Sequence, residues 1–474
     1  MVALCGWLLI RIAPDVQGKA LYEDEAVAGL IGMRPLPELL ETVMVDRGGA
    51  PLHFLLAHAV FWVDASADAL RWLSVVCALA AVPVCFDLAR RLGGNSAGLV
   101  AAAVTASSTA LGIYGSFGRM YALFVLVAAL SADLFVRAVQ LRTRRAVIAA
   151  AVAAWLLPAV HPYGLIPALA ALALAVVMWR NRSIRGALPV ALIALAGMPF
   201  VVADLRLANR AQVGSGGSAA LAAPGDAWSE LSAALSSFAG GSGLPLVALA
   251  LLAVLGLVVL VRSEPAAAAL AATVFVPPLL FLVLRAGSAP DLSPRHLFYG
   301  LPLWAAAIGV GAVRLQAELP RRARPALILA IAALAIVAPA SALSDPRELG
   351  LLPNQSPPEL RAEQGDVLFP YSVPFLAELD GVRAGTVLPQ GPGDLILAAV
   401  EQGGDPIGRV LVALPGERWT VTTLEGPFDE SGALFAVVET IALTRHSPEL
   451  DWWFELAERG LCDALAKLGP RCPA

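Results

Sequence analysis

Residues 1–343 are organised as long apolar runs divided by short polar turns, and most runs approach the about 20 residues that carry a helix across a bilayer. The runs fall near residues 2–14, 69–89, 97–117, 120–139, 146–161, 164–180, 187–203, 243–261, 266–284, 297–314 and 325–343, which predicts eleven transmembrane helices. The first run is short and broken by Arg11 and Pro14, as in a tilted helix or one that starts further upstream. A cleaved leader is the rival reading for it, but no basic lead-in precedes and no clear small-residue cleavage site follows.

Composition sharpens this picture. With 58% hydrophobic and 15% charged residues, the 474-residue chain lies far from the soluble norm of roughly 25% charged and is read as an all-α polytopic membrane protein. Its basic residues are almost all Arg, only Lys19 and Lys467 being Lys. That is a codon bias toward G and C, and no nucleic-acid partner is expected from it. Residues 344–474 hold 20 acids and 9 bases, a net −11, whereas the rest of the chain is +7. Zinc spacing is missing from the five cysteines, and pairing of Cys462 with Cys472 stays open.

Orientation follows from the arginines. Arg90 and Arg91, then Arg142, Arg144 and Arg145, then Arg180, Arg182 and Arg185, then Arg262, then Arg314, Arg321, Arg322 and Arg324 fall at alternate turns, as the positive-inside rule asks of cytoplasmic loops. The outer turns are then residues 15–68, Tyr114–Tyr121, His161–Gly164, Asp204–Ser242, the SAPDLSPRH turn, and everything after Ser344. The stretch PLHFLLAHAVFWV, Pro51–Val63, is only 13 residues long, and counting it as a span would put every later Arg cluster on the wrong side. It is expected to lie in the outer interface with His53 and His58 near the headgroups.

The tail reads differently. After a Pro-rich linker over residues 344–360, with PNQSPPEL at Pro353–Leu360, residues 361–474 contain the short apolar runs DVLFP, DLILAAV and RVLVALP and a helical-looking DWWFELAERGLCDALAKLG. This predicts a small extracytoplasmic α/β domain with no catalytic constellation of its own.

Candidate chemistry gathers on the outer side. The first outer loop, residues 15–68, carries LYEDEAV with Glu23, Asp24 and Glu25, and GGAPLHFLL follows. Two outer turns each bring an arginine beside aromatics, Arg119 in GSFGRMYALF and Arg295 in SPRHLFYGLPL. The bland alternatives are a solvated acidic loop and interfacial arginines snorkelling beside belt aromatics.

In order, topology and side, YEDEA, GGAPLHFLL, GRMYALF and PRHLFYGLP resemble the integral-membrane GT-C glycosyltransferases. The likeness is nearest to glycosyltransferase family 39, with its protein O-mannosyltransferases and lipid A aminoarabinose transferase relatives. It covers residues 1–343. Two departures stand out: Ala50-Pro51 where the family usually shows two prolines, and Gly118 in place of a common Glu-Ala lead into Arg119.

The resemblance implies a plasma-membrane enzyme that takes a sugar from a polyprenyl-phosphate donor and passes it, with inversion, to an acceptor hydroxyl on a lipid, polysaccharide or protein at the outer face. Asp24 matches the family's base, and Glu25 would orient Asp24 or the acceptor. Arg119 and Arg295 would bind the donor phosphate with Tyr121 and His161 beside them, His161 having a structural interfacial role as its alternative. No cofactor is required by this reading, and a divalent metal on Asp24 and Glu25 stays open, since two adjacent acids do not make a metal motif. The alternative from another class is a polytopic transporter or lipid flippase. Such proteins place ionisable groups near the bilayer midplane, whereas Asp87 and Asp133 are expected to pair with Arg90 and Arg137 at the cytoplasmic surface.

Overall fold

The computed structural model describes residues 1–16, 23–46, 50–64, 66–180, 235–236, 238, 244–275, 294–340, 367–369, 409–414 and 420–425. Helices dominate. In chain order they are α1 (Val2–Ile12), α2 (Glu23–Met33), α3 (Leu36–Asp46), α4 (Leu52–Phe61), α5 (Ala67–Ser107), α6 (Thr109–Tyr114), α7 (Tyr121–Leu141), α8 (Arg144–Val160), α9 (Leu165–Arg180), α10 (Leu244–Ser263), α11 (Pro265–Ala272), α12 (Leu301–Ala317) and α13 (Arg324–Ala340). Four helical stretches among the described residues are long and apolar enough to cross a membrane: Asp68–Ser107, Tyr121–Leu141, Leu244–Ser263 and Arg295–Ala317.

The longest of these is doubled. Ser66 caps its start, accepting from the Ala69 N–H at 3.1 Å. At Gly94 (φ 82°, ψ −179°) the helical path breaks. A Cβ on Gly98 would meet the Phe86 carbonyl oxygen at 2.8 Å, a contact that no straight helix makes between positions so far apart. The chain therefore turns back at the glycines, as the two runs at 69–89 and 97–117 predict. The second run ends earlier than expected, at Ser107, and α6 restarts the helix after Ser108, whose hydroxyl accepts from the Leu111 N–H.

Around this hairpin, α12 packs against α5 and α10, and α7 packs against α5 and α8. The contact between α10 and α12 is backbone on backbone: a Cβ on Gly256 would strike the Ala307 carbonyl, and one on Gly311 the Leu252 carbonyl. Small residues permit such close approach where lipid supplies no hydrophobic drive for helices to associate. The outer face of α10 presents Val247, Leu251, Val254, Val258 and Val261 at helical spacing, each 47–65% exposed, an unbroken apolar stripe suited to acyl chains.

Charged side chains collect at the α5 hairpin. Asp133 accepts from Arg91 at 2.7 Å and forms an ion pair with Arg137 at 2.8 Å, and Asp87 holds Arg90 at 2.8 Å and Arg137 at 3.4 Å. Gln140 extends the cluster to the Arg91 carbonyl and to Glu264. The arginine-rich turns of α5, α7 and α10 thus share one end of the bundle. One expectation changes: Asp133 is buried, with only 4% of its side chain exposed, and bridges two arginines instead of pairing at the surface.

In the tail, β1 (Val367–Phe369) pairs parallel with β2 (Arg409–Leu414), which pairs antiparallel with β3 (Thr420–Glu425). DLILAAV, the DWWFELAERG stretch, both tail cysteines and the run at 187–203 lie outside the described residues.

Candidate active site

The end of the bundle opposite the arginine cluster is built from the predicted outer turns. Helix α2 opens with Glu23, Asp24 and Glu25 in its first turn, where acids complement the helix dipole. Glu25 is buried at 2% exposure. Its Oε2 accepts from Arg71 Nη2 at 2.8 Å, and its Oε1 accepts from Arg71 Nε at 2.9 Å and from the Gly118 N–H at 2.6 Å. Arg71, in the first turns of α5, also donates to the Val16 carbonyl at 3.3 Å.

Residues Gly115–Met120 form the turn between α6 and α7 that carries Arg119. The main chain of that turn is held from several sides. His53 Nε2 lies 3.3 Å from the Gly118 carbonyl, and the Ser74 hydroxyl donates to the Arg119 carbonyl at 3.3 Å. A Cβ on Gly118 would meet Leu70 Cγ at 2.9 Å and Glu25 Oε1 at 3.2 Å, so a larger residue here would have to displace one of these side chains.

Helix α4 corrects an expectation. His53 does not face the headgroups; it is 1% exposed and bonded to the Gly118 carbonyl. Since a carbonyl only accepts, Nε2 carries the proton and Nδ1 keeps a lone pair that is buried and unbonded. His58 is half-buried, donating from Nδ1 to the Gly32 carbonyl at 2.8 Å and accepting the Trp62 indole N–H at 3.2 Å. Burial, and after it the charge of Arg119, lower the pKa of His53 to about 3, with the Gly118 bond opposing them. His53 is therefore neutral when folded and takes up a proton below about pH 6.5 when unfolded, so its contribution is complete above that pH and is lost as pH falls toward 3. In detergent melts the parent should lose stability as pH falls through this window, and His53→Gln should show a shallower slope. Identical slopes would mean that His53 titrates normally.

The second wall is aromatic and cationic. The guanidinium of Arg295, in the 3₁₀ turn Pro294–Gly300, lies 5.9 Å from the centroid of the Tyr121 ring, in cation–π geometry. Tyr114, Tyr121 and Phe298 meet edge to face at 4.8–6.0 Å. His161, between α8 and α9, is buried 6.2 Å from Tyr121, and His296 stacks on Tyr163 at 4.8 Å. His296, Arg119 and Arg295 all lie within electrostatic reach of His161. The Tyr163 N–H donates to His161 Nδ1 at 3.2 Å, which leaves the imidazole proton on Nε2 as a donor. Arg119, Arg295, Tyr121 and His161, predicted from turns far apart in sequence, thus come together. Positive charge, N–H donors and ring faces at one end of the bundle suit a phosphate carrying an apolar or sugar substituent.

Sequence reasoning missed Arg71, Ser74 and His296. A signal existed for Arg71: it is an arginine inside the 69–89 run at the outer end, where charge bias disfavours one, and an ionisable residue there is a functional hypothesis by default. Among the described residues no group of three or more His, Cys, Asp or Glu is arranged to hold a metal ion.

The chain is similar to ArnT from Cupriavidus metallidurans in the apo state (TM-score 0.49, 15% identity, 75% of this chain and 66% of that one) and to the same protein bound to undecaprenyl phosphate (0.49, 18%, with the same coverage). It is also similar to the arabinosyltransferase EmbB from Mycobacterium smegmatis (0.44, 15%, 66% of this chain and 30% of that one). The chain thus spans just under two thirds of the length of ArnT and under a third of EmbB. No family model matches it, and no curated protein does.

Proposed function

We propose that this chain is a GT-C-type membrane glycosyltransferase that moves a sugar from a polyprenyl phosphate to an acceptor hydroxyl, with inversion, at the outer face of the plasma membrane. The observation that carries the reading is the convergence of Arg119, Arg295 and His161 about Tyr121, at the same bundle end as the helix that bears Asp24. In the reaction the acceptor oxygen forms a bond to the anomeric carbon while the bond from that carbon to the phosphate oxygen breaks. The acceptor proton passes to Asp24 as general base, and the phosphate leaves with the electron pair. Charge grows on the phosphate as it departs, so Arg119, Arg295 and the Nε2–H of His161 stabilise the transition state more than the ground state.

Glu25 acts here through its partners. Both of its oxygens are engaged by Arg71 and Gly118, so it sets the position of neighbouring groups and leaves proton transfer to Asp24. The acceptor is a lipid, polysaccharide or protein hydroxyl, and the domain over residues 361–474 helps capture it. Transport is less well supported: Asp87 and Asp133 are both ion-paired with arginines at the opposite end of the bundle.

The direct test offers purified protein a panel of polyprenyl-phosphate sugars and follows which one is consumed; failure to consume or bind any of them rejects the reading. Within an active assay, Arg295→Ala should cost roughly 100-fold or more, as for loss of one donor to a developing anion, and Arg295→Lys should fall between, keeping charge without the planar fork. Near-normal rates in both would return Arg295 to an interfacial anchoring role.

A further inference from the structure

The turn that carries Arg119 is held more firmly than a loop at a membrane surface requires. Three of its main-chain polar groups are each met by a side chain from a different helix: the Gly118 N–H by Glu25 of α2, the Gly118 carbonyl by His53 of α4, and the Arg119 carbonyl by Ser74 of α5. Glu25 is in turn fixed by the two-pronged bond from Arg71, which is anchored on Val16. Glu25, His53, Arg71 and Ser74 are each at most 4% exposed. Water would satisfy a surface turn at no cost, whereas burying an ion pair carries a desolvation penalty that stability alone does not justify.

We infer that Arg71, Glu25, His53 and Ser74 are positioning residues that hold the Gly118–Arg119 main chain in one conformation, so that Arg119 meets a lipid-linked phosphate in a fixed orientation. The clamp does a second thing. Because Glu25 follows Asp24 directly, the bond from Glu25 to the Gly118 N–H ties the main chain of the base to that of the phosphate-binding arginine. Proton acceptance and leaving-group stabilisation are then held in register by one buried strut, and no substrate is needed to assemble them. The inference rests on the phosphate-binding reading of Arg119 given above.

The test measures binding of undecaprenyl phosphate to the full chain in lipid nanodiscs. Arg71→Leu removes the two-pronged bond to the buried Glu25 and is prone to unfold, so the informative variants are Arg71→Lys, which keeps the charge but loses the fork, and Ser74→Ala, which removes one hydroxyl. Each should weaken binding about 3- to 10-fold, the size of one or two hydrogen bonds, while melting and nanodisc incorporation stay near the parent's. In an Arg119→Ala background, Ser74→Ala should cause no further loss, because the clamp acts through Arg119. A purely structural role predicts the same loss with and without Arg119, and that result, or parental affinity in both single variants, overturns the inference. If the parent chain binds no undecaprenyl phosphate, or binds it as well as Arg119→Ala does, the phosphate-binding reading itself falls and the clamp's role falls with it.

Discussion

Asp24→Asn is expected to slow sugar transfer by about 100- to 10,000-fold, the range that a positioned general base contributes, while the protein still inserts and purifies like the parent. The amide keeps the shape of the side chain and loses the ability to take the acceptor proton. Its stability cost should be small. Asp24 stands in the first turn of α2, where a negative charge is worth about 0.3–1 kcal/mol against the helix dipole, so melting should shift only slightly. Donor binding should survive as well, since the phosphate contacts belong to other residues. Retention of most activity in purified Asp24→Asn would remove this residue from the chemistry, and loss of activity together with donor binding would instead assign it to substrate capture.

The second large effect concerns folding. Arg71→Leu should destabilise the protein by about 3–5 kcal/mol, because it removes the two-pronged ion pair from the Glu25 carboxylate, which is buried at 2% exposure. The double variant Arg71→Leu with Glu25→Gln should regain much of that loss, since a neutral amide oxygen still accepts from the Gly118 N–H and no buried charge is stranded. Thermal unfolding in detergent at neutral pH reads both. A parental melting temperature in Arg71→Leu would mean that Glu25 reaches water or another cation when Arg71 is gone.

These two residues, 46 positions apart, mark the boundary between what was legible and what was not. The apolar runs and alternating arginine turns by themselves determined a polytopic helical chain, because insertion depends on hydrophobicity summed over a short local window. Four of the turns they predict to face outward, the acidic loop, the GRMYALF turn, HPYG and the PRHLFYG turn, meet at one end of the bundle, and the arginines of α5, α7 and α10 gather at the other. Arg119, Arg295, Tyr121 and His161 could be named because charge and aromatic rings stand out at helix ends, and helix ends are set by local sequence.

Only the tertiary structure decided which partners those side chains have. The short α4 run says nothing of the helix's rotation, so His53 was expected among headgroups but is turned inward onto the Gly118 carbonyl. Asp133, expected at the surface, is buried between Arg91 and Arg137 because the α5 hairpin brings Arg91 against α7. Glu25 was legible as a carboxylate beside the base, yet its bonds to Arg71 and Gly118 arise where α2, α5 and the α6–α7 turn converge. Such contacts follow from how helices rotate and cross when small residues let them close, a property of the packed assembly that no local stretch of chain encodes.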